Sequence, residues 1–478
     1  MTHRNFNKGY YIISTMNTKP RYFKIFIISL CIFFLMFSNI NVIKIVDSES
    51  NQEILPFSGD ITIPDDYSSI QAGINNAESG DVIYVKSGSY KENILVDIDS
   101  LTIIGEDKSD TIIDGDKFLK KHTMEISSEN VTIQGFTIKN GWNEEERLWD
   151  LSGIKINASN ARIIGNIIRD NRLGISVMTN TNNITIKNNT FINDGLMLAN
   201  YVYNFEMSIN DFRHNIENNT VNGKPLYYIC DKSDYTVPEY AGQVMLVNCT
   251  NVTVKNLDLK DTDFSINLAG CFNCNISDNI IDDTDGELIL FYSENNTIQG
   301  NKISNCLHGI CLDYKSKNNV VRNNEIYDNW IGISSITGSE NNKIYSNQIY
   351  KNKAGIEITT YYPPMKSKNH RIFQNQIYKN NKGILITGDS ENLSISNNTI
   401  NKNLIGIDIK ESEGNIINNN SFFRNIFSAL FFNCKKNIWE NNYWNRPRLF
   451  PKMIYGYRNI GKVPIPWLNL DLNPSRKK

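Results

Sequence analysis

Residues 324–335 read NEIYDNWIGISS, and the same frame returns at 347–358 as NQIYKNKAGIEI and at 375–386 as NQIYKNNKGILI. An Asn-x-Ile or close variant anchors each copy, at Asn166, Asn189, Asn256, Asn279, Asn301, Asn324, Asn347, Asn375, Asn398 and Asn420, and most steps are 22 or 23 residues. A glycine stands eight residues after many anchors, from Gly174 to Gly406, and opens a period-two alternation such as Ile356 and Ile358, which is a strand signal. A further polar series lies five residues after the anchor: Asn171, Asn329, Asn352, Asn380, Asn403 and Asn425, with Asp194, Asp261 and Cys306 as variants. A polar side chain fixed at one turn position, coil upon coil, is an asparagine ladder.

Short strands repeating at this period predict a solenoid whose coils cannot bury their apolar faces alone. The Leu-x-x-Leu-x-Leu frame of leucine-rich repeats is missing. The pattern fits an all-β, single-stranded right-handed parallel β-helix of 22–23 residues per coil, with Ile and Val inward and Asn and Gly supplying left-handed backbone angles at the corners. The net charge of -2, from 49 basic and 51 acidic residues, leaves no footprint for nucleic acid.

The ends differ from the middle. Ile25–Phe37 is apolar except for Ser29 and follows Lys19, Arg21 and Lys24, the layout of an export signal, either cleaved or kept as a membrane anchor. Residues 1–46 are assigned to that segment and 47–62 to a linker. Charge placement puts the body outside the cytoplasm, so an extracellular or cell-surface protein is expected. Sequons recurring from Asn130 to Asn419 allow glycosylation, although the ladder already demands asparagines. The solenoid spans 63–444 with an insertion near 200–245, and 445–478 reads as a proline-rich basic cap or tail. Near the start, Ile70, Ile74 and Ala77 share a helical face that Ser68 or Ser69 would cap. Such a helix would cover the open end of the first coil.

The opening IPDDYSSIQAGI at Ile63–Ile74 and GDVIYVKSGSYKEN at Gly80–Asn93 resembles the start of pectin-lyase-fold proteins, especially the NosD-like group with carbohydrate-binding and sugar-hydrolase repeats. The stretches Gly223–Tyr228, Tyr235–Pro238 and Ala241–Val244 resemble an insertion in NosD-like proteins of archaeal surfaces. The resemblance covers about Ile63 to Trp444. It implies the fold, and leaves chemistry open because one solenoid hosts many activities.

Three functional classes follow: a module binding polysaccharide or a cell-surface glycan, a polysaccharide lyase or glycoside hydrolase, and the copper delivery that the NosD resemblance implies. For binding, the tyrosines at breaks in the period are the candidates: Tyr201, Tyr203, Tyr227, Tyr228, Tyr235 and Tyr240 in the insertion, and Tyr361 and Tyr362 where one step gains five residues. Tyrosine rings stack on sugar faces, but they also pack loops against a wall. For metal, Asp261, Asp263, Asp282, Asp283, Asp285 and Glu287 lie at similar offsets on adjacent coils, and calcium favours such oxygen sets; the alternative is a solvated acidic corner. A lyase would also need a base such as Lys255, Lys260 or Arg322. No catalytic set stands out, and the Gly-His-Gly motif of polygalacturonases and Asp-Pro-His-Glu motif of mannuronan epimerases are missing. Copper needs soft ligands. His122, His214, His308 and His370 are scattered, whereas Cys271, Cys274, Cys249, Cys306 and Cys311 fall on neighbouring coils. They read as buried thiols in tight positions, a disulfide, or a soft-metal site.

Overall fold

A coil of this chain turns three corners, and each corner is built by two consecutive residues. In the coil around Asn324 the pairs are Asn318–Asn319, Asn323–Asn324 and Asp328–Asn329. The first member of each pair adopts φ of 55° to 57°, and the second is buried. Asparagine and aspartate tolerate the left-handed region because their short polar side chains bond locally. The second residue turns its amide inward, where the otherwise unpaired backbone of the corner needs partners.

The computed structural model of the chain describes residues 60–115, 121–142, 151–200, 207–284, 288–360, 365–448, 450–460 and 463–476, all within one compact unit, Pro56–Lys478. Residues 1–46 and the linker up to residue 59 lie outside the described residues. The unit is a right-handed β-helix of about 16 turns. Strands pair in parallel with the equivalent strands of the coils before and after, and the register holds a stack of side chains on each of three sides. Ile310, Ile333, Ile356, Ile384 and Ile407 follow one another on the first. Ile298, Val321, Ile344 and Ile372 form the second, and Ile303, Ile326, Ile349 and Ile377 the third. All thirteen are fully buried, so the core is a column of stacked aliphatics.

Three ladders run through the corners, where the sequence pattern shows two. In the first, Asn301 donates its backbone N–H (2.9 Å) and Nδ2 (3.0 Å) to Oδ1 of Asn324, while the same Nδ2 reaches back to the Ile276 carbonyl (3.0 Å). The motif repeats through Asn347, Asn375, Asn398, Asn420 and Asn442. The second passes Asn329, Asn352, Asn380, Asn403 and Asn425. The third lies five residues before the anchor, at Asn296, Asn319 and Asn342, and then at His370, whose Nδ1 accepts from Asn342 N–H (3.2 Å).

Two expectations change. Asn256 stands in the left-handed position (φ 57°), and the ladder position of its coil is Leu257, whose N–H donates to Asn279 Oδ1 (3.0 Å). The recurrent glycine is there for a close approach, not for a corner angle: a Cβ on Gly355 would sit 2.6 Å from the Gly383 carbonyl oxygen.

At the start, the helix Ile70–Asn76 is capped by Ser69, whose Oγ accepts from Ala72 N–H (3.1 Å), and it buries Ile70 and Ile74. The insertion contains an antiparallel pair, Thr220–Val221 with Lys224–Cys230. Its segment around Phe212 lies against the outside of the following coils, with Phe212 and Phe291 rings 5.2 Å apart. At the other end, 445–478 holds a hairpin, Lys452–Ile460 with Val463–Asp471, paired antiparallel over nine positions. Asp471 reaches back into the solenoid and ends the first ladder: its Oδ2 accepts Asn442 N–H (3.0 Å), Asn442 Nδ2 (3.2 Å) and Trp444 Nε1 (2.8 Å). A carboxylate only accepts, which is what the last rung of this ladder lacks.

Candidate functional site

A groove lies between the terminal hairpin and the last coils. The hairpin's first strand pairs with the last long-side strand, Phe427–Phe432, only through Phe431–Gly456 and Phe432–Tyr457. In the hairpin register Tyr455 faces Leu468 and Tyr457 faces Pro466, so directly opposed residues put both tyrosines on one face. That face, with Leu468 and Pro466, forms one wall, and Ile405, Leu430 and Phe432 on the outside of the last coils form the other; Trp467, opposite Gly456, belongs to the hairpin's other face and also lines the groove. The space between them is about 1000 Å³, at the upper end of small-molecule sites. Tyr455, Tyr457 and Trp467 are 60%, 53% and 41% exposed.

Charge is placed at one side of the groove. Asp408, on the coil strand Ile405–Lys410, is buried and holds two lysines, Lys382 at 2.8 Å and Lys410 at 3.6 Å. One carboxylate against two ammonium groups leaves net positive charge beside the aromatic wall. Arg458 lies over the Trp467 ring, 5.2 Å from its centre. Sequence reasoning missed this site because Asp408 occupies an outward strand position of an ordinary coil. The signal available was the alternation of Met453, Tyr455 and Tyr457 in the terminal segment.

The tyrosines expected at the breaks divide. Tyr228 is half-buried, and its hydroxyl donates to Phe212 carbonyl (2.7 Å) and accepts from His214 N–H (2.9 Å). Tyr227 packs against the core. Both therefore fasten the insertion. Tyr235 and Tyr240 are exposed, with Tyr240 donating to the Gly223 carbonyl (3.3 Å). Tyr201, Tyr203, Tyr361 and Tyr362 lie outside the described residues.

Four of the six acidic residues are described. Asp261 and Asp283 occupy equivalent left-handed corner positions (φ 49° and 52°) on adjacent coils. Asp282 accepts from Ser304 Oγ (2.7 Å) and Asn305 Nδ2 (2.8 Å). Asp263 turns inward, and its Oδ2 accepts Gly174 N–H (2.6 Å) and Gly195 N–H (2.9 Å). Its charge adds to the effect of burial on Asp194, whose carboxyl is pushed well above the usual range. Asp285 and Glu287 lie outside the described residues. Among the described residues no three of His, Cys, Asp and Glu gather as a metal-ligand set. Of the candidate lyase bases, Lys255 pairs with Glu239 (3.6 Å) and Lys260 with Asp258 (3.4 Å).

The cysteines follow the ladders. Cys271 and Cys434 stand where other coils place Ser293, Ser316 and Ser339, and make the same bond: Cys271 Sγ donates to the Leu246 carbonyl (3.4 Å) as Ser316 Oγ does to Leu290 (2.9 Å). Cys274 N–H donates to Asn296 Oδ1 (2.8 Å) in the third ladder, and Cys306 N–H to Asn329 Oδ1 (2.9 Å) in the second. All the described cysteines are free thiols. A hydrogen bond from Cys271 holds the Cys249 thiol down at about 7, whereas burial pushes Cys271 up.

Residues 233–362 and 364–456 match the family described as "Periplasmic copper-binding protein (NosD)". The C-terminal half of the chain is NosD-like. Similar solved structures include the A-module of Azotobacter vinelandii mannuronan C-5 epimerase AlgE6 (15% identity, 78% of this chain and 88% of that chain, TM-score 0.34). Others are exopolygalacturonases from Thermotoga maritima (9%, 84% and 89%, 0.35) and Yersinia enterocolitica (14%, 77% and 74%, 0.37). No curated protein matches the chain. The NosD description raises copper, and the described residues do not fit a copper set. The thiols of Cys249, Cys271, Cys274, Cys306 and Cys434 donate to carbonyls, His370 Nδ1 is a ladder acceptor, and His214 Nε2 meets the Asp211 carbonyl at 3.2 Å.

Proposed function

We propose that this NosD-like solenoid is an exported protein that binds carbohydrate in the groove between its last coils and the terminal hairpin. The observation carrying the reading is that Tyr455, Tyr457 and Trp467 line one groove together with Lys382 and Lys410. Aromatic faces cover the apolar C–H face of a sugar ring while hydroxyls and ammonium groups take its oxygens. Asp408 keeps both lysine heads beside the groove, so less side-chain entropy is lost when a ligand engages them. The apolar run before Asp47 supports export, and the sequons fit display at a surface.

Affinity electrophoresis of residues 47–478 in gels containing neutral and acidic polysaccharides tests the reading. Retardation by at least one polymer, lost in Trp467→Ala, is expected. Equal mobility in every gel would overturn it.

A further inference from the structure

One corner of the solenoid sorts its charges by sign. The strand registers stack the residues that follow Lys260, Asp282, Ser304, Tyr327, Tyr350, Tyr378, Asn401 and Phe423. In order these are Asp261, Asp283, Asn305 and Asp328, then Lys351, Lys379, Lys402 and Arg424. Asp261 is half-buried and the other seven are exposed. All eight hold φ between 49° and 59°, a conformation that asparagine and aspartate take more readily than lysine or arginine. The backbone therefore does not account for four basic residues in succession.

Another corner shows how the chain otherwise stacks charge. Bridges there link Glu294, Lys317, Glu340, Lys368 and Glu391, alternating in sign, and Lys317 pairs with Glu294 (3.3 Å) and Lys368 with Glu340 (3.5 Å). That stack neutralises itself. In the sorted stack opposite signs meet only at the junction, where Lys351 pairs with Asp328 (3.5 Å). On either side of it like charges follow one another in steps of about 4.8 Å, an arrangement that repels itself. Lys260 and Lys302, on strands leading into the acidic half, are held by Asp258 (3.4 Å) and Glu325 (3.8 Å). No carboxylate among the described residues pairs with Lys379, Lys402 or Arg424.

The order is its own complement. A second copy, turned about a two-fold axis at the junction of Asp328 and Lys351, sets its Arg424 against Asp261, its Lys402 against Asp283, its Lys379 against Asn305 and its Lys351 against Asp328. The same contacts recur with the copies exchanged, as an isologous interface requires. We propose that two copies of this chain pair side by side and antiparallel along this corner. A single exposed ion pair contributes little, so the association rests on the whole array and is screened by salt.

Sedimentation velocity of residues 47–478, which contain the whole compact unit, tests the pairing. A dimer is expected at about 50 μM protein in about 20 mM salt, and a monomer in about 0.5 M salt. Asp261→Lys/Asp283→Lys and Lys402→Glu/Arg424→Glu should each dissociate roughly tenfold more readily while keeping their melting temperatures. An equimolar mixture of the two should pair again, because each change meets its complement. Asn305→Cys/Lys379→Cys, oxidised with diamide, should form a covalent dimer that neither single substitution forms. Those positions are three coils apart within one chain, beyond disulfide reach. A monomer at low salt, a dimer that neither charge variant weakens, folded charge variants that stay apart when mixed, or no cross-link overturns the proposal. The outcome is independent of carbohydrate binding, because the Trp467→Ala groove variant should still dimerise.

Discussion

Tyr327, Tyr350 and Tyr378 climb one side of the regular coils with ring centres 5.1 and 4.9 Å apart and planes within 10°, and Tyr345 and Phe373 stack at 4.7 Å with planes 11° apart. Tyr455, Tyr457 and Trp467 of the terminal hairpin border an open groove instead. The difference comes from register. Parallel coils place identical residues about 4.8 Å apart, close to ring-stacking distance, so repeated aromatics spend their faces on one another. The antiparallel hairpin breaks that repetition, and its rings keep their faces. In a repeating fold, surface for a ligand is released where the repeat ends.

This contrast can be broken most severely at Asp471, which joins the two regions. Asp471→Ala strips acceptors from Asn442 and Trp444 in the buried core, and should cost about 3 kcal/mol. Asp471→Asn, which keeps one acceptor oxygen, should cost less. Urea unfolding followed by tryptophan fluorescence measures both, and equal stability of the alanine variant would show that the hairpin does not close the ladder.

Acid attacks the regular coils through His370. Burial holds its imidazole down at about 3, against 6.5 when unfolded. The unfolded chain therefore binds the extra proton first, and stability falls as pH drops below 6.5, by about 1.4 kcal/mol per unit until about 3. His214, held down at about 4 by burial, adds to the slope. Melting temperatures between pH 7 and 4.5 should show a shallower decline in His370→Asn, which restores the amide of neighbouring coils.

The aromatic contrast itself is tested by a pair of variants. Trp467→Ala should weaken polysaccharide binding roughly tenfold, equivalent to about 1.4 kcal/mol, without lowering the melting temperature. Tyr350→Ala should do the reverse, because its ring is stacked and its hydroxyl donates to Glu325 (2.8 Å). The smallest effect belongs to Cys271→Ser. The same corner already accepts serine in other coils with the same carbonyl bond, so the change should stay below about 1 kcal/mol.

Much of the solenoid was legible in the sequence because its register is set by residues at fixed spacing. Inward isoleucines at Ile326 and Ile349 and amides at Asn324 and Asn329 fall on a count. Reading failed where residue type and role separate. Asn256 looks like a ladder residue but bends the backbone, while Leu257 holds the ladder position. The third ladder was hidden because Cys274, His370 and Leu393 occupy places that other coils give to asparagine. Offsets in sequence also do not reveal that Asp263 turns inward while Asp282 bonds along the coil edge. The groove was illegible because it depends on where the hairpin docks, and that is set by contacts distant in sequence, such as Asp471 with Asn442 and Gly456 with Phe431.

Each ladder amide oxygen accepts from the coil before it, so the amide-to-amide bonds of the corners all point the same way. A coil is thus an interchangeable tile: its surface toward the next coil offers donors, its surface toward the coil before it an acceptor, and both fit any neighbour. Duplicating residues 324–346 as a unit would leave every junction matched and lengthen the rod by one spacing of about 4.8 Å, carrying the terminal hairpin further from the first coil without altering it. Length can therefore drift over generations while the end pieces stay fixed.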